Sequence, residues 1–318
     1  MEAQLSAKSE RESILVVATG GTVPTHKKLW PGELYSLATF VAESENDIIL
    51  VLGCRNPANS QVSTRLGGLK NIQKLDIVGL ELTSNDSIRG FATHILEKYP
   101  QRISALLLCA GAMYEKRVVE SSGIEQTLQV NALSQGLLLE CLWPMFFQSA
   151  GSMVCSRVVF VASSLHKKAS QQNEVSPSSI DTLLDSKLWK PMLSYSISKL
   201  VQMHLFKIVD DAFARVEDSK SRPIAIAVSP GFVPQTGLAR ESSWLTRQFM
   251  TYVMPMFPFT TSLEQGGKTI ARAMVAQDLK SGAYLSPHGE ETLAPECLDL
   301  TLRSAWRNWL ISNGVRIG

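Results

Sequence analysis

Short runs rich in β-branched and other apolar residues recur along the chain at 14–18, 48–52, 75–82, 104–109, 158–162, 224–229 and 283–285. Most are continuously apolar rather than alternating, which marks strands buried on both faces, as in a parallel sheet covered by helices. Segments with helical periodicity separate them, at 33–42, 84–97, 124–147, 193–216 and 263–276. Strand alternating with helix over the whole length predicts an α/β fold, a doubly wound parallel sheet of about seven strands. No internal repeat or linker marks a second domain. A single domain is expected over 13–318, after a flexible tail at 1–12. The Ser- and Asp-rich stretch at about 167–190 breaks the alternation and reads as a surface insertion.

Composition narrows the function classes. A formal net charge of +2 creates no polyelectrolyte field, so nucleic acid is not the expected partner. No run approaches the ~18 apolar residues that a membrane-spanning helix needs, and the first residues are too polar for a secretory leader. Cys54, Cys109, Cys141, Cys155 and Cys297 form no CxxC pair and suggest free thiols in a reducing compartment. A cytoplasmic protein is expected. The apolar, aromatic stretch at 249–259 reads as a substrate lid or as a surface that touches lipid from outside the bilayer.

In a doubly wound sheet, ligands bind beyond the carboxyl ends of the strands. After the first run stand Thr19, Gly20 and Gly21, then a long loop to Gly32 and a helix. Glycines there let backbone N–H groups approach a pyrophosphate. After the second run stands Arg55 with no acid beside it, which favours the 2′-phosphate of NADP over the bare ribose of NAD. After the fifth come Ser163 and Ser164. Tyr195 and Lys199 follow, four apart on one face of an apolar-rich helix. A lysine ammonium near a phenol favours the phenolate and brings its pKa towards neutrality.

Taken in order, these pieces resemble the short-chain dehydrogenase/reductase superfamily, and within it the retinol dehydrogenase and WW-domain oxidoreductase-like subgroup. Thr19, Gly20 and Gly32 match the glycine turn. Cys54-Arg55-Asn56, Leu80-Glu81-Leu82 and Cys109-Ala110-Gly111 match the next strand ends, and Gln129-Val130-Asn131-Ala132 matches a helix motif. Ser163, Tyr195, Lys199, Pro230-Gly231 and Thr236 complete the set. The resemblance implies a Rossmann-type fold and an NADP(H)-dependent oxidoreductase that interconverts a ketone or aldehyde with an alcohol. It implies that Tyr195 exchanges the proton with the substrate oxygen. Lys199 lowers the tyrosine pKa and binds the nicotinamide ribose. Ser163, with Ser164 as its neighbour, orients the carbonyl, and Asn131 anchors a proton-relay water. Glu81 faces the adenine, while Ala110, Gly111, Pro230, Gly231 and Thr236 line the cofactor. It also implies a homodimer built on the long helices at 124–147 and 193–216.

Three departures bear on the cofactor. The glycine turn lacks its middle glycine and is lengthened to Pro31, Glu81 replaces an aspartate, and Cys109 replaces an asparagine. Lys27 or Lys28 in the lengthened loop is a candidate for the missing phosphate contact. Two other readings stand beside the oxidoreductase: a non-redox isomerase, dehydratase or cyclase using Tyr195 as acid/base, and a non-catalytic binding protein. A serine hydrolase is poorly supported, with no G-x-S-x-G elbow. The lid region at about 232–262, with Trp244, Phe249, Tyr252, Met254, Met256, Phe257 and Phe259, suits a small hydrophobic substrate.

Overall fold

A computed structural model describes residues 12–20, 32–58, 60–120, 122–148, 155–169, 186–218, 222–233 and 260–318. The apolar runs become strands with both faces sealed. They are β1 (Ser13–Thr19), β2 (Asp47–Cys54), β3 (Ile72–Gly79), β4 (Ile103–Leu108), β5 (Arg157–Val161), β6 (Ile224–Val228) and β7 (Tyr284–Ser286). An eighth, β8 (Gly289–Glu290), follows. The sheet order is β3-β2-β1-β4-β5-β6-β7-β8, parallel throughout except for β7 with β8. Successive residues of β1 feed opposite sides: Leu15 and Val17 join one core cluster, Ile14, Val16 and Ala18 the other. That is why the runs carry no polar alternation.

The helices are α1 (Gly32–Glu43), α2 (Ser60–Leu66), α3 (Asn85–Lys98), α4 (Gln126–Leu128), α5 (Ser134–Leu142), α6 (Pro191–Ala214), α7 (Leu263–Val275), α8 (Pro295–Leu298) and α9 (Leu300–Ser312). Leu37, Phe40 and Val41 of α1 pack with Ile270, Ala271 and Met274 of α7 on one face of the sheet. Helices α3, α5 and α6 contribute to the core on the other. Pro191 opens α6, where its missing N–H has no intrahelical partner to lose.

Three differences from the sequence reading have physical reasons. β3 ends at Gly79 rather than at 82, because Leu80 and Leu82 leave the strand to enter the core beside α3. Ser84 caps α3 by accepting the Ser87 N–H at 3.2 Å. β8 is two residues long and is made by a reversal after Ser286, so it carries no apolar run to betray it.

The C-terminal helices were also not anticipated, and they cover α5 and α6. Leu302, the fully buried Trp306, Leu310, Val315 and Ile317 join the same core cluster as those two helices. Arg303 pairs with Asp211 at 2.7 Å, and the Arg316 backbone N–H donates to Glu140 Oε2 at 3.0 Å. A Cβ on Gly136 would stand 2.9 Å from Val315 Cγ1. Thus α5 and α6 meet the chain's own C-terminal segment there. Among the described residues, no helix is long and apolar enough to cross a membrane.

Candidate active site

The sheet reverses its order of growth between β1 and β4, and the carboxyl ends of these strands bound the crevice where such folds bind ligands. Thr19, buried at the end of β1, ties the two strands by accepting the Ala110 N–H at 3.3 Å. Gly20 has φ +123°, a backbone only glycine adopts readily, and its N–H donates to the Gly53 carbonyl. Gly32 begins α1. Gly111 lies just past β4, where a Cβ would come within 3.3 Å of Asn131 Oδ1 and 3.7 Å of Lys199 Nζ. Its missing side chain lets Asn131 and Lys199 approach the backbone there. Gly231, after Pro230, has φ +80°, and a Cβ there would collide with Thr261 Oγ1 at 1.9 Å.

Asn131, Ser163 and the Tyr195–Lys199 pair, far apart in sequence, meet beside Gly111. Asn131 sits in a π-helical turn, Gln129–Leu133, between α4 and α5. Such turns interrupt the regular helix and recur at functional sites. Its Oδ1 accepts the Ala112 N–H at 2.8 Å, while its Nδ2 donates to the Ala112 carbonyl at 2.8 Å and to Ser198 Oγ at 2.9 Å. The side chain is therefore fixed from three directions. Ser163 leaves the end of β5 and caps a 3₁₀ turn, Ser164–Lys168, through the Leu165 N–H. Its hydroxyl also hydrogen-bonds the Tyr195 phenol. Ser164, by contrast, is exposed, and its N–H donates to Ser229 Oγ. His166 is held by the Ser163 carbonyl at 2.6 Å from Nδ1.

Tyr195 and Lys199 are both almost fully buried in α6. Burial pushes the Tyr195 phenol up to about 12, with the Ser163 hydrogen bond pulling the other way. The expected lowering by Lys199 is not among the interactions that move the phenol. Lys199 Nζ stands 5.8 Å from the centre of the tyrosine ring and donates instead to the Val161 carbonyl at 2.9 Å and to Gln202 Oε1 at 3.0 Å. Burial brings the Lys199 ammonium down to about 8, opposed by its electrostatic interaction with Cys109.

The other expected positions lie further out. Arg55 is exposed just past β2. Glu81 is half-buried, and its Oε1 accepts both the N–H and the hydroxyl of Thr83 at 3.0 Å, which supports the turn into α3. Gly21, Thr236, the loop with Lys27 and Lys28, and the aromatic lid residues 244–259 lie outside the described residues.

Three residues of the site escaped the sequence reading. Gln202 lies three residues from Lys199, and Gln135 lies four from Asn131. The signal was present: each is an amide within an apolar helical run, at a spacing that shares a face with a motif residue. Glu125 is a third. It caps α4 through the Leu128 N–H and accepts the Ser194 hydroxyl at 2.8 Å, joining that helix start to α6.

No protein-family model matches the chain. Among curated proteins, the short chain dehydrogenase/reductase mfmJ of Annulohypoxylon moriforme is 31% identical over 198 residues, 61% of this chain and 55% of that protein. The WW domain-containing oxidoreductase of Danio rerio is 27% identical over 246 residues, 74% of this chain and 55% of that protein. The chain thus spans little more than half the length of these two relatives. Among solved structures, an NADPH-bound carbonyl reductase from chicken fatty liver superposes with a TM-score of 0.61 at 17% identity, covering 89% of this chain and 95% of that one. It shares the fold.

Proposed function

We propose, from the premise that this chain is a homologue of the short-chain dehydrogenase/reductases, that it is an NADP(H)-dependent oxidoreductase acting on a lipophilic ketone, aldehyde or alcohol. The observation that carries the reading is the convergence of Asn131, Ser163, Tyr195 and Lys199 beside Gly111. A dead pocket has no need of a serine, a phenol and an ammonium in register.

The residues present suit a dinucleotide. Gly20 and Gly111 clear backbone at the switch point, and Arg55 offers a charge for the 2′-phosphate beyond β2. A bound nicotinamide cofactor would supply or accept the hydride. The chain's own residues handle the proton and the orientation. Ser163 donates a hydrogen bond to the substrate oxygen, and Tyr195 passes its phenol proton to that oxygen on reduction, or takes it back on oxidation. With a phenol pushed up to about 12, Tyr195 needs a nearby cation to act at neutral pH, and Lys199 is the group built to supply it.

The lipophilic substrate is supported by exposed Val118, Val119 and Met192. The valines and the start of α6 are linked through Glu125, which bonds Ser194 next to Tyr195. A cytoplasmic setting is supported by five cysteines that are all free thiols. Pairing of two copies would have to use a surface other than the part of α5 and α6 that the C-terminal segment covers.

The test is direct. Purified protein should quench or shift NADPH fluorescence on binding and should oxidise NADPH only when a bulky apolar ketone or aldehyde is added. Binding without oxidation across a broad carbonyl panel would move the chain to the non-redox reading.

A further inference from the structure

A buried ammonium with no carboxylate beside it is costly unless other groups solvate it. Lys199 is 3% exposed, and among the described residues no acid pairs with it. The groups that face it are few. Tyr195 lies on its own helix, Cys109 follows β4, the Val161 carbonyl ends β5, and Asn131 occupies the π turn. Gln202, one turn along α6, is completely buried and gives Lys199 its side-chain acceptor.

The amide of Gln202 does not stand alone. Its Nε2 donates to Gln135 Oε1 at 2.7 Å, and Gln135 Nε2 donates to the Ala110 carbonyl at 3.0 Å. Gln135 is equally buried. Every link donates in the same direction, from Lys199 through two amides to the end of β4. Turning the Gln202 amide over would set its NH₂ against the ammonium and its oxygen against the Gln135 oxygen, so only one orientation satisfies the chain. Aligned hydrogen bonds polarise one another, and the carbonyl oxygen that meets Lys199 is the negative end of that row. Val161 and Gln202 use two of the three ammonium protons. The third is used by neither.

We propose that Gln202, oriented by Gln135, is a positioning residue that holds the Lys199 side chain against the β4 and β5 ends and keeps it in its charged form during turnover. This rests on the oxidoreductase reading for its consequence, though not for its test. Without a cation at Lys199, Tyr195 has only the Ser163 hydrogen bond to offset its burial, so loss of the lysine proton ends activity as pH rises. Gln202 therefore sets where the alkaline limb of activity falls.

The sign follows from the charge. Gln202→Leu removes an acceptor from the ammonium, so the midpoint of Lys199 and the alkaline limb of kcat should both fall by about one to two pH units. Gln202→Glu keeps an acceptor and adds negative charge, so both should rise. Gln135→Leu should lower them by less, because it removes only the support. The lysine midpoint is read by NMR on protein carrying ¹³Cε-labelled lysine, with the signal assigned by its loss in Lys199→Met. That reading needs no turnover, so an inactive protein would sink the oxidoreductase proposal and leave this one standing or falling by itself. Should Gln202→Leu fail to fold, as judged by thermal unfolding, Gln202→Glu and Gln135→Leu still move the midpoint in opposite directions. A midpoint unchanged across the folded variants would overturn the inference, as would one that moves only when Cys109 is replaced by alanine.

Discussion

The ends of β2 and β3 and the ends of β4 and β5 lie on the same edge of the sheet but are built differently. Past β2, Arg55 stands in solvent, and past β3 the Glu81 carboxylate is tied to its own turn through Thr83. Past β4 and β5, the polar side chains are buried and held from several elements: Asn131 by Ala112 and Ser198, Lys199 by Val161 and Gln202. The contrast separates two tasks. A proton-transfer group must be placed within a fraction of an ångström before the substrate arrives, which takes fixed supports. A side chain that recognises a phosphate by charge can remain free until the phosphate is there.

The sharpest break in that comparison is Tyr195→Phe. Removing the phenolic proton from the fixed half should lower kcat by about 10²–10⁴-fold while leaving NADPH affinity nearly unchanged. A variant that retained more than a tenth of wild-type turnover would take the proton-donor role away from Tyr195.

Acid stability should separate the halves next. His204 is buried in α6, and among the described residues neither of its ring nitrogens has a hydrogen-bond partner. Burial, with the charge of Arg303 beside it, holds its pKa down to about 3. The folded form binds this proton more weakly than the unfolded chain, whose histidine titrates near ~6.5. The stability it allows is therefore present above about pH 6.5 and is lost as pH falls towards 3, at roughly 1.4 kcal/mol per pH unit. On β3, by contrast, hydrogen bonds from Lys98, His94 and Tyr99 outweigh burial and hold the Asp76 carboxyl well below its usual range. That contribution is lost only as pH falls below the ordinary carboxylate value near ~3.9. Urea unfolding of His204→Leu between pH 7 and 4 checks this. The slope near pH 5–6 should flatten, and an unaltered slope would mean that another group is responsible.

Arg55→Ala probes the exposed half and should have the smallest effect of the three. NADPH affinity should fall about ten- to a hundredfold, the worth of one charge-assisted contact, while NADH affinity barely moves. Equal losses for both cofactors would show that Arg55 reads something other than the 2′-phosphate.

Much of the architecture was legible in the chain because its signals are local. Apolar runs uninterrupted by polar residues announce strands sealed on both faces, and β1, β2, β4, β5 and β6 fall within a residue or two of their runs. The short β8 and helices α8 and α9 were not legible. A two-residue strand has no period, and α9 owes its place to Trp306 and its neighbours finding α5 and α6. The four motif residues could be named from the family resemblance that their order carries. Their electrostatics could not be.

The sequence by itself determined which side chains could do chemistry and which strand ends would carry them, because residue type and hydrophobic period are properties of short segments. Only the tertiary structure decided what those side chains face. That Lys199 meets a glutamine row rather than an acid, that Ser163 rather than Ser164 reaches the phenol, and that the C-terminal segment covers α5 and α6 all depend on contacts between distant residues. A pKa or a buried hydrogen bond is set by those contacts, since burial and partners exist only once the chain has closed around them.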